Sequence, residues 1–154
     1  MKVHFSQRKG DWILALLYVN RRKPVRGTLR IMKELFLFKK EAKLDERAKL
    51  GQFYRFVPYD YGPCSFEIYD DLNMLRKIGS IIALERPDKH YQTYMLTQSG
   101  EYRARLFLKS LHPSVTEGLE EIKRRFNDLP LYSLLSYVYE EYPEYAKKSV
   151  FAPF

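Results

Sequence analysis

The chain has 154 residues, of which 45% are apolar and 16% aromatic. This composition excludes global disorder and predicts a single domain over residues 1–154. Its net charge is +8, and its one cysteine, Cys64, excludes an internal disulfide and favours a reducing, cytoplasmic location. Charged residues precede the first apolar run, so no signal peptide is predicted. The longest apolar run, residues 12–19, is too short to cross a bilayer, so no membrane contact is predicted.

The positive charge is concentrated in the first part of the chain. Residues 1–60 carry 15 Lys and Arg against 6 Asp and Glu, whereas residues 111–154 carry 5 against 7. This asymmetry favours an anionic partner, with nucleic acid first and an acidic protein surface second. A basic surface that only keeps the protein soluble is an equally good explanation.

Apolar spacing predicts two helices in the first third of the chain. The first runs over residues 12–21, with Asp11 as its N-cap, and its apolar faces on both sides predict a central position. Pro24 ends it, because proline cannot continue a helix. The second helix is predicted over residues 29–42.

The middle of the chain contains the segment around which the fold is expected to form. An aromatic strand is predicted over residues 53–57, followed by a turn at residues 60–63. Ser65 is the predicted N-cap of a helix over residues 66–78, and Gly79 ends that helix in the left-handed conformation.

Two strands follow, over residues 80–85 and 91–96, and the five residues between them form the predicted hairpin tip. Thr97 is the predicted N-cap of a helix that runs to about residue 111. The segment Ser114-Val115-Thr116-Glu117 has the pattern of a capping box and predicts a further helix. Pro130 opens the last predicted helix, and the apolar tail at residues 149–154 is expected to dock on the core.

The order helix, helix, strand, helix, strand, hairpin tip, strand is that of a winged-helix domain. We therefore predict an α+β fold, with a winged-helix-like core over residues 12–111 that contains a small β-sheet and wing. Two additional C-terminal helices form an extension over residues 112–154. Such appended helices often form dimers in bacterial regulators, so a homodimer is expected; the alternative is that they only cover the core.

Four segments carry a resemblance to a known family: TLRIMKELFLFKKE, FYRFVPYDYGPCSFEIYDDLNML, YMLTQSGE and LLSYVYEEYPEYAKKS. They resemble the YwgA-like family of uncharacterised prokaryotic proteins, over most of the chain. Residues 12–100 are also similar, more distantly, to the Panacea domain of the SocA-like antitoxin family, through an apolar helix and an aromatic segment that ends in a YGP turn. The resemblance implies a phage- or toxin–antitoxin-associated protein with a regulatory or toxin-neutralising role, and it supplies no catalytic residue.

Basic side chains in three places are candidates for contact with double-stranded DNA. The central helix presents carboxylates at its leading end, which does not favour direct base readout by that helix. Contacts from loops and wing would position a duplex without reading it, and loose surface charge is the alternative. The candidates are Arg21, Arg22, Lys23, Arg26 and Arg30 around the first interhelix loop, Arg76 and Lys77 late in the central helix, and Arg86, Lys89 and His90 at the hairpin tip.

An aromatic and acidic set around the YGP turn is the candidate for contact with a protein partner. Tyrosine-rich surfaces anchor protein partners and also stack single-stranded bases. A third explanation is that these tyrosines brace the turn. The candidates for partner binding are Tyr54, Tyr59, Tyr61, Glu67, Tyr69 and Asp70.

Residues with catalytic potential form no recognisable pattern. His4, His90 and His112 show no metal-ligand spacing with Cys64, and no motif supplies a base for that thiol. No catalytic residue, metal site or cofactor is therefore predicted. Two functions remain: a non-enzymatic winged-helix regulator that binds DNA, and a module of antitoxin type that neutralises or adapts a partner protein.

Overall fold

The structure is a computed structural model that describes residues 5–150. Within this range it is an α+β fold of six α-helices, a three-stranded antiparallel sheet and a two-stranded hairpin, in an arrangement that is winged-helix-like. This confirms the predicted fold class. In chain order the elements are α1 Asp11–Arg22, β1 Val25–Arg26, α2 Thr28–Glu41, β2 Val57–Tyr59, β3 Gly62–Cys64, α3 Phe66–Lys77, β4 Ile81–Glu85, β5 Gln92–Leu96, α4 Gln98–Lys109, α5 Pro113–Phe126, α6 Leu131–Glu141 and a 3-10 helix at Pro143–Tyr145.

The larger sheet has the strand order β1-β5-β4, and all of its pairs are antiparallel. The predicted hairpin is confirmed, since β4 and β5 pair with Ala83 opposite Tyr94. Strand β1 was not predicted; it pairs Val25 with Tyr94 and Arg26 with Thr93. A two-residue strand is too short to produce a periodic sequence signal.

Helix α1 is central, as predicted. Residues 12–17 are fully buried, and the helix packs against α2, α4, α5 and β5. The indole of Trp12 contacts the rings of Phe53 and Phe107, with centroids 4.8 and 4.9 Å apart. Its Nε1 donates to the Gln52 carbonyl oxygen at 2.7 Å. Tight ring packing of this kind stabilises a core beyond the area it buries.

The end of α1 is irregular. Val19 is extended, with ψ at 163°, and Asn20, Arg21 and Arg22 each have φ at 59°, in the left-handed region. Buried Lys123 donates from Nζ to the carbonyl oxygens of Leu16 and Val19, at 2.7 and 2.9 Å. These bonds supply partners for carbonyls that a helix terminus leaves unsatisfied.

Of the three predicted N-caps, Asp11 is wrong, Ser65 is confirmed in position without the capping hydrogen bond, and Thr97 is confirmed with its hydrogen bond. Asp11 lies inside the first turn of α1, where its carboxylate binds the Arg103 guanidinium at 2.7 and 3.0 Å. Ser65 precedes α3 but makes no capping hydrogen bond. Thr97 caps α4, since its Oγ1 accepts from the Gly100 N–H at 3.2 Å.

The predicted capping box at residues 114–117 is also wrong. Helix α5 begins at Pro113, and its N-cap is His112, whose Nδ1 accepts from the Ser114 N–H at 3.1 Å. The Ser114 hydroxyl instead accepts from the Asp45 N–H at 3.1 Å. The imidazole can replace the usual hydroxyl or carboxylate because its unprotonated nitrogen is an acceptor.

The strand predicted over residues 53–57 is displaced toward the C-terminus, where β2 and β3 form a hairpin. The aromatic residues before it pack on the core instead, as shown by Phe56, whose ring lies 5.3 Å from that of Phe36. The alternation of aromatic residues therefore serves packing and not strand pairing. Near the chain end, the Val150 N–H donates to the Asp60 carbonyl oxygen at 2.8 Å, and the predicted docking of residues 151–154 lies outside the described residues.

Between residues 5 and 150, no helix is both long and apolar enough to cross a membrane.

Candidate functional site

The YGP turn is held by the core beneath it. Lys33 is 1% exposed, and its Nζ donates to the Pro63 carbonyl oxygen at 2.8 Å. Burial lowers the pKa of Lys33 to about 8. Gly62 has φ at +89°, and a Cβ there would lie 2.8 Å from Cε1 of Tyr139. The hairpin is thus a fixed scaffold, since both its backbone conformation and its close packing require glycine at this position.

Four large apolar side chains are exposed on β2 and on the first turn of α3. Val57 and Tyr59 lie two residues apart on one face of β2. Phe66 and Tyr69 lie in the first turn of α3, one helical turn apart. Their exposed fractions run from 42% to 51%, and the rings of Tyr59 and Phe66 meet edge to face at 4.9 Å. We call these four residues the aromatic surface.

Carboxylates surround the aromatic surface. Asp60 lies at the hairpin turn, and Glu67 and Asp70 lie in the first half of α3. Glu67 accepts from Lys9 Nζ at 2.9 and 3.0 Å. Asp60 and Asp70 have no ion-pair partner among residues 5–150, so the rim of this surface carries uncompensated negative charge.

Five of the six predicted partner-binding residues lie on or beside this surface. Tyr59, Tyr61, Glu67, Tyr69 and Asp70 are all exposed. The structure corrects the prediction for Tyr54, which is fully buried and donates from its hydroxyl to Asp71 Oδ2 at 2.5 Å. Tyr54 braces the segment before the hairpin and has no surface to offer a partner.

Sequence reasoning missed Val57 and Phe66. Apolar residues in an amphipathic segment are expected to face inward, so neither was singled out. A signal was present for Phe66, because it lies one helical turn before Asp70 and shares that exposed face. The inward face of α3 is instead formed by Ile68, Leu72 and Leu75.

The cations at the end of α1 lie among carboxylates. Arg21, Arg22 and Lys23 are exposed and line a cavity of about 770 Å³, together with Glu101, Glu120 and Asp128. Arg22 Nη1 contacts Glu101 Oε2 at 2.7 Å, and Lys23 Nζ contacts Asp128 Oδ2 at 2.5 Å. These three side chains therefore present less net positive charge to an anionic partner than the sequence indicates.

Arg30 is not a surface residue, so its predicted contact with DNA is corrected. It is 3% exposed, and its Nη1 donates to the carbonyl oxygens of Phe126 and Asn127 at 3.0 and 3.2 Å. Burial lowers the pKa of its guanidinium, although the nearby Glu34 carboxylate acts in the opposite direction. The position of Arg30 on α2 turns it toward the end of α5, a tertiary effect that no local pattern reveals.

The interhelix loop and the hairpin tip meet at a second cavity. Exposed Arg26 on β1 and exposed His90 at the tip both line a volume of about 720 Å³. Arg86 and Lys89 are exposed at the same tip and form no ion pair within the described part of the chain. Arg76 and Lys77 are exposed in the last turn of α3, away from its acidic first half.

Two residues with catalytic potential, Cys64 and His112, lie in structural positions. Cys64 is buried, and burial raises the pKa of its thiol. His112 caps α5, His90 lies at the tip, and His4 falls outside the described residues. No group of three or more His, Cys, Asp or Glu within residues 5–150 has an arrangement that would hold a metal ion.

No family model, curated protein or solved structure matches this chain significantly, so the resemblance to the YwgA-like and Panacea families stays a prediction.

Proposed function

We propose that this chain is a protein-interaction module that binds a partner through the aromatic surface and its acidic rim. The observation that carries the proposal is the exposure of four large apolar side chains, 42% to 51% each, side by side on the hairpin and α3. Scattered exposed apolar residues are ordinary, whereas a group of this kind marks an interaction site. Tyrosine and phenylalanine are also the residue types that most often anchor interfaces.

The rim defines the chemistry of the partner. Asp60 and Asp70 carry charge without an ion-pair partner among residues 5–150, and they flank the apolar centre. A partner segment with apolar anchors and Lys or Arg beside them would satisfy both features. Because Lys33 and the packing at Gly62 hold the hairpin in place, little conformational entropy is lost when such a segment binds.

This role corresponds to the antitoxin-type function that the sequence resemblance implies. In that setting the partner is a toxin with a basic, apolar segment, and binding covers that segment.

Site-specific photo-crosslinking in living cells tests the proposal. A photoreactive phenylalanine analogue is placed at Phe66, and a matched control carries it at Tyr102 on α4, which is 57% exposed. We expect a crosslinked complex with one defined protein from position 66 and not from position 102. Equal crosslinking from both positions, or none from position 66, would reject the aromatic surface as the binding site.

A second candidate function, DNA binding, is favoured by one observation. The tip between β4 and β5 presents Arg86 and Lys89 without an ion pair in the described residues, at the place where a wing contacts a groove. Fluorescence anisotropy on the upstream DNA of the gene, over a salt series, tests this. If the tip binds phosphates, a double Arg86→Ala, Lys89→Ala variant lowers the log–log salt slope by about 2, while Arg105→Ala on α4 leaves it unchanged. An unchanged slope in the double variant rejects the wing contact.

A further inference from the structure

The cavity of about 720 Å³ lies where three parts of the fold meet. Its walls come from the start of α2 at residues 26–30, from the tip and β5 at residues 90–92 and 94, and from the start of α6 at residues 130–132 and 135. Tyr61 of the hairpin turn completes the lining. A volume of this size is within the range of small-molecule sites.

The charge of the lining is one-sided. Arg26, Arg30 and His90 contribute basic groups, and no Asp or Glu is present among the described residues that line the cavity. The cavity at the end of α1 differs, because three carboxylates accompany its cations. An anion is therefore favoured only at the first of these two places.

Two helices begin at this cavity without a cap. Neither Gly27 before α2 nor Pro130 before α6 provides a side-chain hydrogen bond, and neither helix has an acidic residue in its first turn. The first N–H groups of an α-helix have no partner within it, and the helix dipole makes that end positive. Such an end attracts phosphate or carboxylate groups, and here two of them line one cavity.

The guanidinium of Arg30 adds positive charge at the cavity wall. Arg30 lines the cavity and is 3% exposed; its Nη1 donates to two carbonyl oxygens, and its buried Nε has no hydrogen-bond partner among the described residues. Glu34 lies one helical turn further along α2, outside the lining, and burial raises the pKa of its carboxyl to about 8. The raised pKa favours the neutral form of Glu34, so this carboxyl compensates the Arg30 charge less than an exposed carboxylate would. Exposed Asp128 is already engaged by Lys23 at 2.5 Å.

Aromatic rings form much of the remaining wall. Tyr61, Tyr91, Tyr94 and Tyr132 all line the cavity, and the hydroxyl of Tyr94 shares a hydrogen bond of 3.0 Å with Thr28 Oγ1. Tyrosine faces stack on planar rings such as nucleobases.

We infer that this cavity binds a small aromatic anion of the mononucleotide class. The phosphate lies at the starts of α2 and α6, near Arg26 and Arg30, and the planar ring lies among the tyrosines. This binding is separate from the partner contact at the aromatic surface, and each is tested without the other.

Isothermal titration calorimetry on the purified full chain tests the site, with AMP, GMP, adenosine and inorganic phosphate as probes. We expect at least one nucleotide to bind with a Kd of about 1 mM or below, and adenosine and phosphate alone to bind at least about tenfold more weakly. Arg26→Ala should weaken nucleotide binding by about tenfold or more, since it removes a charged contact. Arg21→Ala, at the carboxylate-lined cavity, should leave it unchanged.

A second variant tests the helix start without disturbing the fold. Leu29→Glu places a carboxylate in the first turn of α2, which satisfies the helix dipole and maintains or raises the unfolding temperature. We expect nucleotide binding to be lost in this variant. The inference is overturned if neither nucleotide binds saturably, if phosphate alone binds as tightly, or if Arg26→Ala and Leu29→Glu bind like the parent chain.

Discussion

Two regions of the molecule show how a helix start can be used in opposite ways. Helix α3 supplies its own carboxylate, Glu67, in its first turn, and the surface it forms with the hairpin is acidic and apolar. Helices α2 and α6 have no acidic residue there, and the cavity they share is basic and aromatic. The same backbone feature therefore suits a cation-bearing partner at the proposed protein contact and an anion at the proposed nucleotide site, and the residues of the first turn decide which.

Both regions use the same scaffold. Tyr61 at the hairpin turn lines the cavity, while Tyr59, two residues earlier, belongs to the aromatic surface. The turn between them is fixed by Lys33 and by the contact of Gly62 with Tyr139. Aromatic content alone does not separate the two proposed binding sites; the charge of the neighbouring groups does.

The largest effect is expected when this shared scaffold is broken. Gly62→Ala forces a side chain into the left-handed region and places its Cβ 2.8 Å from the Tyr139 ring. We expect a loss of about 2–4 kcal/mol in the free energy of unfolding, measured with urea. Partner binding and nucleotide binding should both weaken.

Gly79→Ala is the matched control for that loss. Gly79 also has a positive φ, of +78°, but a Cβ there meets no atom within 4 Å. The loss should be about 1 kcal/mol, because only the conformational cost remains. Equal losses in the two variants would show that the packing of Gly62 on Tyr139 does not hold the hairpin.

The next effect concerns Glu34, whose protonation affects the net charge beside the cavity. Burial raises the pKa of Glu34 from its ordinary value of 4.5 to about 8, so between these values the folded chain binds more protons than the unfolded chain. Stability should therefore fall as pH rises through this window, by up to a few kcal/mol. Glu34→Gln removes the fall, so the variant should match the parent near pH 5 and exceed it at pH 7.

Lys123 contributes the opposite slope at higher pH. Burial lowers its pKa to about 7, so the folded chain binds fewer protons than the unfolded chain between that value and 10.5, and stability rises with pH there. Arg30 and Asp128 also act on the pKa of Glu34. The free energies of unfolding of Glu34→Gln and of the parent are compared by urea unfolding from pH 5 to 7, because Lys123 contributes its slope above that range. Parallel curves over that range would mean that Glu34 is ionised and already neutralises Arg30.

A smaller loss of stability should distinguish the buried Tyr54 from the exposed Tyr59. Tyr54→Phe removes the bond to Asp71 and leaves that half-buried carboxylate with one partner fewer. Thermal or urea unfolding should show a loss of about 1–2 kcal/mol. Tyr59→Phe, on the exposed aromatic surface, should cost less than about 0.5 kcal/mol. If the two variants have equal stability, Tyr54 does not brace the hairpin.

The smallest effect is expected at the end of α1. Arg22 and Lys23 each form an exposed ion pair, with Glu101 and Asp128. Their replacement by Ala should change the free energy of unfolding by about 0.5 kcal/mol or less, and Arg22→Ala should leave nucleotide affinity unchanged. A clear loss of nucleotide binding in Arg22→Ala would place the anion site at the wrong cavity.

Local signals predicted much of the fold. Patterns that span only a few residues predicted the helix end at Gly79, the N-cap Thr97, the strands β4 and β5 and the central position of α1. The pairing of β1 with β5, and the burial of Tyr54 and Arg30, depend on residues distant in sequence and have no local signal.

The candidate sites divide in the same way. Half of the aromatic surface, Tyr59 and Tyr69, was predicted, because the YGP turn and the first turn of α3 are adjacent in sequence. The cavity was not, because it joins residues within 26–30, 90–94 and 130–135. The sequence grouped Arg26 and Arg30 with the cations at the end of α1 and grouped His90 with the hairpin tip, and only the fold brings these three residues to one cavity.

The most direct test of the central claim is the affinity of the crosslinked partner for chains with an altered rim. Asp70→Lys reverses an exposed charge beside the aromatic surface, and Asp88→Lys makes the same change at the hairpin tip. Measured by calorimetry at low salt, Asp70→Lys should weaken binding by about tenfold or more, since like charges then meet across the interface, and Asp88→Lys should not. Equal affinity of Asp70→Lys and the parent chain, or a loss confined to Asp88→Lys, would contradict the proposed surface.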